Sequence, residues 1–138
     1  MEVVLPPDYQ PSEQEEFMNP LQVEYFRQKL QEWRDQLLEE AEQTLNSLQS
    51  DSLAQPDWTD RASMETDRAL ELRTRDRARK LIVKINEALN RVEDGSYGFC
   101  EETAQPIGIK RLMARPIATL SIEAQERHER MERSHRND

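Results

Sequence analysis

The chain has 138 residues and a formal net charge of -9 at pH 7, from 28 acidic and 19 basic side chains. Its hydrophobic content is 36% and its charged content 34%, against roughly 45–50% and 25% in an ordinary globular domain. This composition excludes a single large core. The apolar residues still recur at regular spacing, unlike those of a disordered polar chain, so elongated helical structure is expected.

A single cysteine, Cys100, excludes an internal disulfide and favours a reducing compartment. The N-terminal sequence has neither the basic region nor the apolar region of a signal peptide. No segment approaches the ~20 apolar residues of a membrane span. We therefore expect a soluble, cytoplasmic protein that does not contact membranes.

The charge is unevenly distributed along the chain. Residues 1–57 hold 13 acids and 3 bases, a net charge of -10, whereas residues 58–138 hold 15 acids and 16 bases, a net charge of +1. Binding to DNA or RNA phosphates depends on clustered positive charge. Nucleic acid is therefore not an expected direct partner.

Residues 1–20 are predicted to form an extended N-terminal arm, because prolines recur there among acidic and polar residues. Helix is predicted to begin near Asn19 and Pro20, since asparagine can cap a helix and proline suits its first turn. An apolar stripe follows at steps of three or four residues: Phe26, Leu30, Trp33, Leu37, Ala41, Thr44 and Leu48. The spacing predicts one helix of about 28 residues.

A break is predicted at residues 50–60, where Pro56 stops the helix and nearby Asp, Ser and Thr can cap the next one. The second helix is predicted to run from about Asp60 to Asp94. Its clearest stripe is formed by Ile82, Ile85, Leu89 and Val92. Two long helices joined by a tight turn pack antiparallel, so residues 21–94 are predicted to be a coiled-coil hairpin with its tip at 50–60.

All three glycines of the chain lie within residues 95–118, after the hairpin. The segment 107–112 is predicted to be a small strand or hairpin, and Thr119 or Ser121 can cap a final helix. The predicted fold class is all-α dominated. It consists of a long antiparallel coiled-coil hairpin, a small zinc-finger-like knob at 95–118 and a C-terminal helix at 119–138.

Four positions after the hairpin have the spacing of a structural zinc site. Cys100, Thr103, Ser121 and Ala124 occupy the places of two Cys-x2-Cys pairs. Only the first is a cysteine. The hydroxyls of Thr103 and Ser121 are weak neutral ligands, and Ala124 has no ligand atom. We therefore expect these degenerate positions to hold no metal and the chain to need no zinc.

Several short motifs accompany this spacing: Met18-Asn19-Pro20, Tyr25-Phe26-Arg27, Pro56-Asp57-Trp58-Thr59-Asp60-Arg61-Ala62, Leu70-Glu71-Leu72-Arg73, Arg75-Asp76-Arg77, Arg79-Lys80-Leu81-Ile82, Val92-Glu93-Asp94, Tyr97-Gly98-Phe99-Cys100, Ile107-Gly108-Ile109-Lys110-Arg111-Leu112 and Ala114-Arg115-Pro116. With them the chain resembles the DksA/TraR family of bacterial RNA polymerase regulators over about residues 6–130. The family's zinc knuckle normally has the spacing described above.

The resemblance implies a transcription regulator that binds RNA polymerase and enters its secondary channel with the coiled-coil hairpin. Family members modulate transcription initiation together with the alarmone ppGpp, in the stringent response. The chain itself is then not an enzyme, and we expect it to act as a monomer.

At the tip, the family's functional pattern Asp-x-x-Asp-x-Ala is matched by Asp57, Asp60 and Ala62. The resemblance implies that these carboxylates lie near the polymerase's active centre and carry the regulatory effect. An alternative is that Asp57, Thr59 or Asp60 caps the second helix by accepting bonds from its first amides.

Residues 68–84 form a basic band on the second helix. The resemblance assigns Arg77 to the rim of the secondary channel, and Lys84 and Arg115 to the ppGpp phosphates at the interface with polymerase. A third such position is Gln125 here, which is not a base. An alternative for about half of the band is pairing with the acidic first helix, which is worth only ~0.2–1 kcal/mol for each exposed pair.

Two further functions are compatible with the sequence. A Gre-like secondary-channel factor would use the tip carboxylates to hold Mg²⁺ in the polymerase's active site and assist transcript cleavage. A coiled-coil adaptor without a catalytic partner would need only the long apolar stripes.

Overall fold

Four helices account for the regular structure of the chain. They are α1 (Pro20–Leu53), α2 (Trp58–Asp94), α3 (Ile109–Ala114) and α4 (Ile122–Arg136). The structure, a computed structural model, describes residues 3–53 and 58–136, without the side chains of 47–53, 58–62, 64 and 136. Within these ranges there is no strand, only an isolated bridge between Phe99 and Pro106. The predicted all-α fold with a coiled-coil hairpin is confirmed.

The chain divides into two compact units. The hairpin unit is Gln31–Asn86, and the terminal unit combines Met1–Leu30 with Glu87–Asp138. Both long helices contribute to both units, so each unit contains one part of α1 and one part of α2.

In the hairpin unit, α1 and α2 pack side by side in opposite directions. Arg34 Nη1 donates a hydrogen bond of 3.0 Å to Asn86 Oδ1, although 52 residues separate them in sequence. Leu37 and Ile85 are buried between the helices, whereas Leu72 is 49% exposed. The apolar stripes therefore face inward at Leu37 and Ile85, whereas Leu72, nearer the start of α2, remains in contact with solvent.

The first helix begins where its sequence predicts. Asn19 Oδ1 accepts hydrogen bonds from the backbone N–H groups of Leu21, at 2.9 Å, and Gln22, at 3.1 Å, and Pro20 is the first helical residue. The helix has 34 residues rather than about 28, because neither proline nor glycine stands before Pro56 to stop it.

Aromatic rings form much of the terminal unit's core. Phe26 is fully buried and packs against the rings of Tyr25 and Tyr97, with centroids 5.3 and 5.7 Å apart. The N-terminal arm joins this cluster through Tyr9, whose ring meets Tyr25 edge-on at 6.1 Å. The arm is therefore held to α1 by side-chain packing.

A buried glutamine fixes the arm to the start of α1. Gln22 Nε2 donates to the carbonyl of Ser12, at 3.1 Å, and to Glu15 Oε2, at 3.2 Å. Its Oε1 accepts from the backbone N–H of Met18 at 2.8 Å. All the polar atoms of this fully buried side chain are thus paired, as burial of an amide requires.

The segment 107–112 is not a strand or hairpin, so that prediction is wrong. Helix α3 begins at Ile109, directly after Gly108, whose φ is 106°. Ile109 and Leu112, three residues apart, are both buried on one face of this helix. Helical spacing therefore buries both apolar side chains, whereas alternation along a strand would put them on opposite faces.

Replacing Asn19 with alanine is expected to lower the free energy of unfolding by about 0.5–2 kcal/mol, because two helix-start amides lose their acceptor. Urea unfolding followed by circular dichroism measures the change. Asn19→Ser is the matched control, since its hydroxyl keeps an acceptor oxygen at the cap without adding a charge beside the Glu15 carboxylate, 3.2 Å from Asn19 Nδ2. An alanine variant as stable as the wild type would contradict the capping role.

Candidate functional site

The three tip residues singled out by the sequence are only partly covered by the structure. Asp57 lies outside the described residues. Asp60 and Ala62 lie near the start of α2, and their side chains are outside the description as well. The pattern Asp57-x-x-Asp60-x-Ala62 therefore stays a prediction from the sequence.

The basic band of α2 includes a row of exposed cations in the hairpin unit. Arg73, Arg77, Lys80 and Lys84 are all exposed, at steps of four, three and four residues that place them on one face of the helix. Among the described residues, no ion pair within 4.0 Å joins α2 to an acid of α1. The row is therefore available to an acidic partner surface.

The nearby ion pair on α2 is a weak one. Arg79 lies 3.9 Å from Asp76 on the same helix, and both side chains are largely exposed. Exposed pairs of this kind contribute little to stability. The alternative of pairing across the hairpin thus receives no support from the described ion pairs.

The two residues that the family resemblance assigns to ppGpp phosphates belong to different units of the chain. Lys84 is exposed on α2 in the hairpin unit, whereas Arg115 is exposed at the end of α3 in the terminal unit. Gln125 lies in the first turns of α4, and its Nε2 donates to Glu129 Oε1 at 3.4 Å. Gln125 thus already has an acceptor on its own helix.

Cys100 is the most chemically distinctive side chain of the terminal unit. It is 2% exposed. Burial raises the pKa of its thiol, but hydrogen bonds from the Thr103 side chain and from the backbones of Ser121, Thr103 and Glu102 outweigh burial and lower the pKa to about 6. The fold therefore surrounds this sulfur with donors that favour the thiolate.

Two of the zinc-spaced positions, Thr103 and Ser121, donate to this sulfur, and Ala124 is hydrogen-bonded to Ser121. Ser121 and Ala124 are buried, and Ser121 Oγ accepts a hydrogen bond of 3.2 Å from the backbone N–H of Ala124. Ser121 thus caps α4. The sequence predicted Thr119 or Ser121 at this position, and the structure shows that it is Ser121. The zinc-like spacing groups Cys100, Thr103, Ser121 and Ala124, and the hydrogen bonds to the thiol join the first three of them.

His128 and Glu102 form a contact that no local sequence pattern predicts. His128 Nε2 on α4 contacts Glu102 Oε1 at hydrogen-bonding distance. The two residues are 26 positions apart, so no local pattern could have paired them. The contact ties α4 to the turn that follows Cys100.

Within residues 3–53 and 58–136, no helix is both long enough and apolar enough to cross a membrane.

The fold and the site define an all-helical protein with a coiled-coil hairpin and a zinc-finger-like knob. Residues 22–92 match the family model described as DnaK suppressor protein DksA, N-terminal domain, and residues 95–130 match the prokaryotic dksA/traR C4-type zinc finger. The chain belongs to the DksA family.

Similar proteins cover most of the chain. The RNA polymerase-binding transcription factor DksA of Caulobacter vibrioides (strain NA1000 / CB15N) is 64% identical over 131 residues, which are 95% of this chain and 92% of that protein. The protein of that name from Escherichia coli (strain K12) is 47% identical, over 83% and 76% of the two chains. The solved structure of transcription factor DksA2 from Pseudomonas aeruginosa has a TM-score of 0.78 and 44% identity, covering 85% of this chain and 90% of that one.

The expectation that the chain takes no zinc is contradicted by these comparisons. The match of residues 95–130 to a C4-type zinc finger points to zinc binding, so that prediction is wrong. The donor set itself differs from four thiolates, since Cys100 is joined by Thr103, Ser121 and Ala124, and no cluster of three or more His, Cys, Asp or Glu side chains occurs in the described part of the chain. These side chains do not fit a four-thiolate site.

The Cys100 thiolate is expected to make stability rise with pH. Because the folded pKa is lowered to about 6 from an ordinary 9.0, its contribution is complete above pH 9 and is lost as the pH falls through about 6. Thr103→Val removes one donor to the sulfur, so the rise between pH 6 and 9 should become shallower.

Urea unfolding at pH 6, 7, 8 and 9 under reducing conditions, at matched zinc content, measures this dependence. Thr103→Ser keeps the hydroxyl and should retain the wild-type slope. Equal slopes for the valine and serine variants would show that the Thr103 hydroxyl does not stabilise the thiolate.

Proposed function

We propose that the chain is a transcription regulator that binds RNA polymerase. The observation that carries this proposal is the 64% identity, over 95% of the chain, to a protein named as an RNA polymerase-binding transcription factor. The TM-score of 0.78 to transcription factor DksA2 supports it at the level of the fold.

The hairpin is the part proposed to enter the secondary channel of polymerase. Its helices have 34 and 37 residues, which correspond to about 50 and 55 Å at 1.5 Å per residue. A channel that leads to a buried active centre requires an element of such length. The exposed row that contains Arg77 supports a contact with an acidic rim, because these cations have no partners on α1 among the described residues.

The carboxylates of Asp57 and Asp60 are proposed to act at the polymerase's active centre, with Ala62 completing the tip pattern. The chain contributes no catalysis of its own in this proposal. It alters initiation through a partner's active site, as a monomer in the cytoplasm and without direct contact to nucleic acid.

The effector ppGpp is proposed to bind only in the complex with polymerase. Lys84 and Arg115 supply cationic donors suited to phosphate, and both are exposed. Gln125 supplies no charge at the third position. Polymerase must therefore provide further basic groups, and it also excludes water, which strengthens each contact.

Asp60→Asn is expected to abolish most of the control of initiation while polymerase binding persists. The loss of a cap can account for only about 0.5–2 kcal/mol of stability, so a large regulatory loss in a folded variant must arise at the partner. Initiation assays at a sensitive promoter and co-purification with core polymerase measure the two properties. Glu65→Gln is the matched control, because it removes one exposed negative charge of α2 outside the tip pattern.

Three results would each contradict a different part of this proposal. Failure of the wild-type chain to co-purify with polymerase would remove the proposed function itself. If the Asp57→Asn and Asp60→Asn variants both regulate initiation fully, only the proposed role of these two carboxylates at the polymerase's active centre is wrong. Stimulated transcript cleavage by the wild type would indicate the Gre-like function instead.

Lys84→Ala is expected to reduce the stimulation by ppGpp more than it reduces regulation without ppGpp. The reason is that Lys84 is proposed to hold a phosphate, whereas the rest of the row holds the polymerase. Transcription assays with and without ppGpp, at matched occupancy of polymerase, give the ratio of the two activities. Lys80→Ala is the control, because it removes an equivalent exposed charge four residues away and should leave the wild-type ratio unchanged. A wild-type ratio in Lys84→Ala as well would mean that Lys84 has no role toward ppGpp.

A further inference from the structure

One long edge of the hairpin unit carries apolar side chains in contact with solvent. On α1 these are Leu38, 50% exposed, and Leu45, 37% exposed. On α2 they are Leu72, 49% exposed, and Val83, 52% exposed. We call these four residues, with the two charged residues introduced below, the leucine edge.

The hydrogen bond between Arg34 and Asn86 shows that such residues share one edge. Arg34 directly follows the half-buried Trp33, and Asn86 directly follows the buried Ile85. A residue that follows an inward residue is turned by about 100° around its helix. In two antiparallel helices that turn points to the same side of the pair, which is why these two side chains meet.

The four apolar residues obey the same rule. Leu38 follows the buried Leu37, and Val83 follows the half-buried Ile82. Leu45 and Leu72 likewise follow half-buried residues, Thr44 and Glu71. All four therefore lie on the edge marked by the Arg34–Asn86 bond.

That bond also sets the level of each residue along the hairpin. Because Arg34 is opposite Asn86, four residues further along α1 correspond to four residues back along α2. Leu38 is then level with Ile82 and adjacent to Val83. By the same count Leu45 is level with Arg75, within one turn of Leu72.

The charged members of the leucine edge differ in sign between the helices. Glu42 on α1 follows Ala41, and Arg79 on α2 follows Ala78, both of which are half-buried. Glu42 is level with Ala78, so the two charges lie at nearly the same height. Glu42 has no ion pair within 4.0 Å among the described residues, and Arg79 has only the exposed contact with Asp76.

We propose that the leucine edge binds a second copy of this chain, forming a reversible two-fold dimer with four helices. With the two-fold axis parallel to the helices, α1 of each copy faces α2 of the other in the register already found within one chain. Leu38 of one copy then meets Val83 of the other, and Glu42 of one meets Arg79 of the other.

A second copy fits better than an unrelated helix because the edge complements itself. Its acid lies on α1 and its base on α2, so a partner of uniform charge would be attracted by one helix and repelled by the other. The apolar contact is short, which places the dimer at the weak end of the range for specific interfaces. Since it would cover one edge of the hairpin, dimerisation would compete with the proposed entry into polymerase.

Sedimentation equilibrium of the full chain, from low to several hundred micromolar, tests the proposal. The average mass is expected to rise with concentration from 16.3 kDa towards twice that value. Glu42→Arg and Arg79→Glu should each remain monomeric, because each places like charges together at both contacts of the dimer. An equimolar mixture of the two variants should dimerise again, because both contacts then join opposite charges.

The controls make the same charge changes away from the leucine edge. Glu39→Arg and Arg73→Glu lie on the exposed faces of α1 and α2 and should dimerise like the wild type. Leu38→Gln should weaken association without changing charge. If circular dichroism shows that Leu38→Gln is unfolded, Leu45→Gln takes its place in the experiment. A constant mass of one chain at all concentrations would overturn the proposal, as would association that Glu42→Arg leaves intact or a mixture that stays monomeric.

Discussion

The seam between α1 and α2 is the interaction on which the hairpin unit depends. Leu37 and Ile85 are buried there, and burying one such side chain contributes about 1.5–3 kcal/mol. The Arg34–Asn86 hydrogen bond fixes which residues lie opposite one another. With so few buried apolar groups and so many charges outside, the register of this seam decides where every exposed side chain of the hairpin points.

The charge pattern follows from that constraint. Because the seam uses the apolar stripe of each helix, the acids of α1 and the row Arg73, Arg77, Lys80 and Lys84 remain on outer faces. No ion pair joins them across the helices in the described residues. The hairpin thus presents opposite charges on its two helices, which suits a partner with an acidic surface opposite α2.

Sequence periodicity predicted the parts of the fold that local chemistry controls. Asn19 and the apolar stripes located both long helices, since capping and period depend on neighbouring residues. The six-residue α3 was not predicted, because so short a segment does not distinguish the helical period of 3.6 residues from the strand period of 2. The hydrogen bonds of Gln22 were not predicted either, because its partners belong to an arm that has no periodic pattern. At the site, spacing grouped Cys100 with Thr103 and Ser121, but the His128–Glu102 contact depends on tertiary structure. Side-chain identity alone led to the wrong expectation for zinc.

Site-specific photocrosslinking tests the central claim, that the hairpin inserts into polymerase, most directly. A photoreactive amino acid in place of Arg77 would be illuminated in the complex with core polymerase, and the crosslinked peptides identified by mass spectrometry. The expected crosslinks lie on the rim of the secondary channel, and the same probe in place of Met131 on the exposed part of α4 should not give them. Crosslinks from position 77 to the outer surface of polymerase alone, in a complex that forms normally, would contradict the account.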